Sequence, residues 1–228
     1  MFSNAIKLCT IRGFDIRIAP SWVLIAALIT WSLSRHYYPS ALPGLDALSY
    51  VAMAFLAMLG FFASLVAHEL AHSLVARRLG VSIKGITLFL FGGVAELDSE
   101  PRSPGVEFRI AIAGPAMSLC LALGFWVLAG AFALVPHGTE WAHILSYLAL
   151  INLVRGGFNL LPAFPLDGGR ILRAFVWNRS GDVVQATRVA AGSGAVLAYA
   201  LMAVGVLSLF QGGLISGFWQ IMIGLFVL

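Results

Sequence analysis

Charge is what this sequence has least of. Only 11% of its 228 residues are Asp, Glu, Lys or Arg, less than half of the roughly 25% usual in a soluble domain. With 60% hydrophobic residues and a mean hydropathy of +0.93, the chain lies outside the range of soluble globular domains. Cysteine is scarce too. Cys9 near the start and Cys120 inside an apolar run build no disulfide framework and have no metal-ligand spacing. No cleavable signal peptide is visible: the first twenty residues carry Lys7, Arg12, Asp15 and Arg17 and hold no short apolar run ending at a small-residue cleavage site. The first apolar span is therefore expected to act as an uncleaved signal. No nucleic-acid-binding module is visible, although the pI is near 9.4.

Long apolar runs are what the sequence has in abundance. They predict six spans, at Pro20–Ser34, Ala47–Leu79, Val106–Val135, Trp141–Leu161, Val183–Phe210 and from Leu214 to Leu228. Pro20-Ser21-Trp22 suits the entry of the first, with proline in the first turn and tryptophan at the interface. The last run has about 15 residues against the roughly 20 needed to cross, so the natural chain is expected to continue beyond Leu228. The expected fold is mainly α: a polytopic membrane protein of about six transmembrane helices with a small cytoplasmic-side β-sheet, residues 1–228 forming one domain.

Basic residues orient these spans. Arg35 alone falls in a loop on the side opposite the N-terminus, and Arg155 lies within the fourth span. Lys7, Arg12, Arg17, Arg77, Arg78, Lys84, Arg102, Arg109, Arg170, Arg173, Arg179 and Arg188 all flank the N-terminal side. By the positive-inside rule that side is cytoplasmic, and an even number of crossings returns the C-terminus there. The expected location is the cell membrane, with the lipid bilayer as partner, and the high pI follows from topology.

Inside the second span stand His68-Glu69-Leu70-Ala71-His72. Histidines four apart project from one helix face, with Glu69 in the neighbouring sector. Two neutral imidazoles so placed can hold Zn²⁺, and an adjacent carboxylate can take a proton from water. A chance match in a chain of this composition has a probability of about a few in a thousand. Burying three such groups in lipid is costly unless they function there.

Catalytic zinc keeps three protein ligands. A candidate for the third lies in Asn159-Leu-Leu-Pro-Ala-Phe-Pro-Leu-Asp167-Gly168-Gly169-Arg170, where two prolines and two glycines break the helix as the fourth span reaches the cytoplasm. Asp167 is the only carboxylate in that break; the plainer reading makes it a helix cap or a partner for Arg170. His68 follows Val51 by about seventeen residues, ~25 Å down the helix, which places it toward the cytoplasmic end with Asp167. His36, His137 and His143 fall at the outer face and need no metal.

Two cytoplasmic-side segments predict strands. Ile83 to Phe91 is β-branched and aromatic, Gly92-Gly93 can turn, and Val94 to Leu97 can return. Phe14, Ile16 and Ile18 alternate with Asp15 and Arg17 as a half-buried strand does. A sheet with an exposed edge close to the histidine helix is expected; the alternative is an amphipathic loop on the membrane.

Together, His68-Glu69-x-x-His72 in an apolar helix and the Asn159 to Arg170 motif some ninety residues later resemble the site-2 protease family of intramembrane zinc metalloproteases. Phe91-Gly92-Gly93-Val94 and Ala113-Gly114-Pro115 resemble further elements of that family. The similarity covers essentially the whole chain. With no PDZ-like insertion, it points to the compact six-helix branch, in which CBS domains, and with them nucleotide regulation, often follow the last span. The resemblance implies regulated cleavage of a transmembrane protein substrate. It also implies one Zn²⁺ held by His68, His72 and Asp167, Glu69 as general base, and Asn159 holding the substrate carbonyl or the oxyanion. Asn159 reads equally well as a helix-terminus cap. An edge strand at Ile86–Phe91 is expected to capture the unwound substrate by strand addition.

Arg155 departs from the family pattern, where an apolar or small residue is usual. It follows Asn152 by three and precedes Asn159 by four, forming a polar stripe down the fourth helix. An intramembrane arginine is a functional candidate, but snorkelling to the cytoplasmic interface is the favoured reading. Two other classes compete with a protease. A zinc transporter needs midplane ligands from several helices with access from both sides, whereas these ligands cluster at one end and Glu69 is spare in a ligand count. A non-catalytic scaffold has no need of Glu69.

Overall fold

The computed structural model describes residues 5–89, 92–97 and 101–228. The far end of the expected third strand, Leu90 and Phe91, lies outside the described residues. The chain divides into two compact units, Met1–Glu100 with Ala113–Gly156, and Pro101–Ile112 with Gly157–Leu228.

The first unit begins with a hairpin. β1 (Ile6–Ile11) runs antiparallel to β2 (Phe14–Ile18), Ile11 opposite Phe14. Between them Arg12 and Gly13 take φ of 54° and 87°, the positive values that a primed two-residue hairpin turn requires. β2 pairs in parallel with β3 (Ile83–Phe89), Ile16 opposite Ile86, and β3 pairs antiparallel with β4 (Gly92–Leu97). The order is β1-β2-β3-β4. The alternation read in Phe14–Ile18 holds, since Phe14 and Ile16 are buried and Arg17 is exposed.

Two expectations about this sheet are corrected. Gly92 and Gly93 do not make the turn; they pair with Phe89 and Leu88 as strand residues, because glycine permits a turn without requiring one. Nor is β3 an edge: β2 and β4 occupy its two sides, and among the described residues β1 and β4 are the outer strands. The parallel β2–β3 pairing joins segments some seventy residues apart, and local patterning carries no signal for it.

Helix α1 (Ser21–Ser32) continues through a π-helical turn, Leu33–Tyr37, into α2 (Tyr38–Ala41), beyond the expected end at Ser34. Helix α3 (Ala47–Arg78) spans 32 residues, about 48 Å at the helical rise. The Asp46 carboxylate caps it, accepting from the Ser49 N–H at 2.7 Å, and Arg77 and Arg78 meet the negative end of its dipole in the last turn. Met58, Phe62 and Leu65 of α3 bury against Ile16 and Ile86 of the sheet, so the sheet is docked on the helix that carries the histidines. Arg77 reinforces that docking by donating to the Arg12 carbonyl and stacking 4.6 Å over the Phe14 ring. Helices α4 (Pro104–Ala133) and α5 (Thr139–Asn159) complete the unit from Ala113 to Gly156.

The second unit holds the first turns of α4, the end of α5, and α6 (Asp167–Ser180), α7 (Val183–Phe210) and α8 (Leu214–Val227). α6 was not anticipated, because its arginine-rich face reads as a polar loop. Gly181, with φ of 72°, ends it, and the Asp182 carboxylate caps α7 by accepting from Val184 and Gln185. Glu107 of α4 is fully buried and carries two arginines of α6: Arg173 Nε donates to its carboxylate at 2.7 Å, and Arg170 lies 3.9 Å away.

By length and composition three helices are suited to cross a membrane, Ala47–Arg78, Pro104–Ala133 and Val183–Phe210; the shorter Leu214–Leu225 is apolar as well. The first and fourth expected spans are helical but fall outside that group among the described residues.

Candidate metal centre

The helical spacing of His68 and His72 places their rings 4.9 Å apart on one face of α3, both buried. Their Nε2 atoms stand 3.3 Å apart. Two imidazole nitrogens bound to one tetrahedral zinc at about 2.0–2.1 Å stand about 3.3–3.4 Å apart, so the pair already has the separation of two ligands of one ion.

Helix α4 supplies what keeps them there. The Ser118 hydroxyl lies 2.8 Å from His68 Nδ1. When Nδ1 donates in that bond, Nε2 keeps its lone pair for a metal, the usual outer-shell arrangement for a metal-binding histidine. One turn earlier, Gly114 faces the two rings. A Cβ there would stand 2.1 Å from His72 Nε2 and 2.5 Å from His68 Nε2. Gly114 thus lets the α4 backbone come closer to the two nitrogens than a residue with a side chain could. Pro115, buried and inside the helix, follows at once and cannot donate to the i−4 carbonyl. Neither role was read from the sequence. The only signal was the Ala113-Gly114-Pro115 run, with Ser118 one turn on.

Glu69, on the neighbouring sector of α3, is paired. Arg155 Nη2 of α5 lies 3.5 Å from its Oε1, and Arg155 Nη1 donates to the Ser64 carbonyl at 3.2 Å. The favoured snorkelling of Arg155 is thus not what is found, since its guanidinium turns inward to α3. Asn152, one turn before it and 1% exposed, donates to the Ser64 hydroxyl at 3.1 Å and to the Leu148 carbonyl at 2.8 Å. Asn152 and Arg155, two members of the polar stripe on the fourth span, therefore make a polar seam between α5 and α3.

The second unit carries the other candidates. Asn159 is the last residue of α5. Asp167 opens α6 at its first position, where a carboxylate suits the positive end of the helix dipole. Leu166 is the residue at the cap itself, so Asp167 is not the cap. The two glycines after it let α6 lie against the proline-rich turn. A Cβ on Gly168 would meet the Leu161 carbonyl at 2.1 Å, and one on Gly169 the Ala163 carbonyl carbon at 2.5 Å. An apolar cavity of about 520 Å³ opens beside this turn, lined by Phe108, Leu160, Pro162, Ile171 and Phe175 among others.

Two imidazoles and a carboxylate are a donor set suited to zinc; the first unit holds the His68 and His72 pair, and Asp167 belongs to the second. Among the described residues His36, His137 and His143 join no such group.

Comparison with known proteins places the chain in a family. The chain matches the model of Peptidase family M50 over residues 56–140 and 133–203. It is 44% identical over 224 residues to Rip3 of Mycobacterium tuberculosis, covering 98% of this chain and 57% of that protein. It is 40% identical over 230 residues to sll0528 of Synechocystis, covering 99% and 58%. Both relatives are named zinc metalloproteases, and the chain spans somewhat under three fifths of their length. Among solved structures it resembles the site-2 protease of Methanocaldococcus jannaschii, with a TM-score of 0.64, 33% identity, and coverage of 98% of this chain and 91% of that one. A histidine pair held at ligand spacing on an apolar helix, and a family match that spans it, lead to one assignment: the chain belongs to Peptidase family M50, the family of the site-2 proteases.

Proposed function

We propose that the protein is an intramembrane zinc metalloprotease that hydrolyses a peptide bond within or near a transmembrane segment of a membrane-protein substrate. His68, His72 and Asp167 hold one Zn²⁺. The observation that carries this reading is the 3.3 Å separation of the two Nε2 atoms in front of Gly114, with Glu69 on the adjoining sector. The names of the relatives and the likeness to a site-2 protease support it.

Bound there, zinc would polarise the scissile carbonyl and make the attacking water more acidic. Glu69 takes the proton from that water as the new C–O bond forms, and returns it to the amine nitrogen as the C–N bond breaks. The Asn159 side-chain amide donates a hydrogen bond to the carbonyl oxygen as it gains negative charge. A helical substrate must first be unwound. Its extended form adds to the free side of β4 by strand addition.

The six helical spans cross the bilayer with both termini cytoplasmic, a reading supported by the distribution of Lys and Arg. The test separates base from ligand. Glu69→Gln is expected to abolish cleavage of a helical transmembrane substrate while zinc, measured per chain by elemental analysis, stays bound. Normal turnover by that variant refutes the mechanism.

A further inference from the structure

We propose that Arg155 is a positioning residue for this reaction: it holds the Glu69 carboxylate in its working rotamer. The inference rests on the reading of Glu69 as general base and goes beyond it by naming what fixes the base in place.

Arg155 and Glu69 are 14% and 12% exposed, so their interaction lies largely out of reach of solvent screening. An arginine in an apolar helix has a cheap alternative, which is to extend its stem and leave its head at the interface. Arg155 does otherwise. One arm of its guanidinium lies 3.5 Å from Glu69 Oε1 and the other donates to the Ser64 carbonyl at 3.2 Å. A hydrogen bond from one arm and an ion pair at the other fix the orientation of the planar group as well as its position, which a single ammonium does less well.

Its second acceptor is itself anchored. The Ser64 hydroxyl donates to the Gly60 carbonyl at 2.8 Å and accepts from Asn152 Nδ2 at 3.1 Å. Asn152 and Arg155, three apart on α5, thus grip one residue of α3, one turn before the histidines. The guanidinium is referenced to the backbone of the helix that carries the metal ligands, and Glu69 is referenced to the guanidinium. A glutamate has three side-chain torsions, and a base displaced by about 1 Å loses on the order of a hundredfold in rate. A fixed anchor on Oε1 removes that freedom.

A purely charge-neutralising role predicts lost stability with catalysis following folded protein. Positioning predicts lost kcat in protein that is folded and loaded. Purified chains in detergent, tested on a helical transmembrane reporter polypeptide that the wild type cleaves, distinguish the two. Arg155→Met is expected to lower kcat about 10- to 100-fold, with KM within about twofold and zinc per chain unchanged. Arg155→Lys, which restores the charge and one donor, is expected to recover kcat to within about fivefold of wild type.

A kcat for Arg155→Met within about threefold of wild type at full zinc overturns the proposal; so does an Arg155→Lys as slow as Arg155→Met. Should the methionine variant not fold, Arg155→Gln replaces it, and equal kcat for the glutamine and lysine variants then overturns the proposal. Glu69→Gln in the same assay keeps the two readings apart. If it turns over normally the base assignment fails, whereas an inactive Glu69→Gln beside a fully active Arg155→Met removes only the role of Arg155.

Discussion

Gly114→Ala puts the metal centre to its sharpest test, because the substitution adds one carbon and replaces no ligand. The new Cβ would stand 2.1 Å from His72 Nε2 and 2.5 Å from His68 Nε2, where ordinary contact begins at 3.4 Å. Both rings must therefore retreat by roughly 1 Å, while ligand distances in a metal site tolerate only about 0.2 Å. The atoms that move are the far ends of side chains, so the fold accommodates the methyl at little cost and the loss falls on coordination. Disturbing a partner of a single ligand costs 10–100-fold in metal affinity. Displacing two ligands at once should cost at least about 100-fold, or about 2.8 kcal/mol at 1.4 kcal/mol per factor of ten. Gly124→Ala is the matched control on the same helix, since nothing lies within 4 Å of its would-be Cβ. Competition against a chromogenic zinc chelator reads the affinity, and thermal unfolding in detergent reads the fold. Expected are a near wild-type melting temperature for both variants, wild-type zinc affinity for Gly124→Ala, and weak zinc binding with no proteolysis for Gly114→Ala. Wild-type zinc affinity in Gly114→Ala would refute the reading that the two rings bind zinc in their present positions.

Other perturbations separate the parts of the site. Ser118→Ala removes the partner of His68 Nδ1 and is expected to weaken zinc binding about 10–100-fold, read in the same competition assay. Asp167→Ala is expected to lower zinc per chain in purified protein; full zinc with full activity would show that the third ligand lies elsewhere. Glu107→Ala leaves Arg170 and Arg173 without their shared buried carboxylate and is expected to destabilise the protein by about 3–5 kcal/mol, seen as a lower melting temperature with no direct effect on the ligands.

Much of this was legible in the sequence because it depends on local period. The 3.6-residue repeat puts His68 and His72 on one face wherever that helix lies, and the alternation of Phe14, Ile16 and Ile18 predicts a half-buried strand that is found as such. α6 was missed because an amphipathic surface helix next to apolar spans looks like a polar connection. β1 was missed for a related reason: its residues are almost all exposed and show no buried face to alternate.

What stayed illegible is what depends on elements meeting. Gly114 and Ser118 matter through the histidines of α3, some fifty residues earlier, and no spacing rule links them. The edge of the sheet is a stronger case. Ile83–Phe89 is a good strand by composition, but whether a strand is an edge depends on what lies beside it, and β2 pairs with it in parallel across the whole of α1 and α3. A proline at Leu88 would therefore break a ladder flanked on both sides, which is costly within a sheet, and lost cleavage would then report a damaged sheet and not a blocked edge. Arg155 shows the same dependence. On a helix considered alone it has the stem to reach water and every reason to do so. Only the carboxylate and the carbonyl that α3 places opposite it make the inward course the better one, and that opposition is a property of the packed helices.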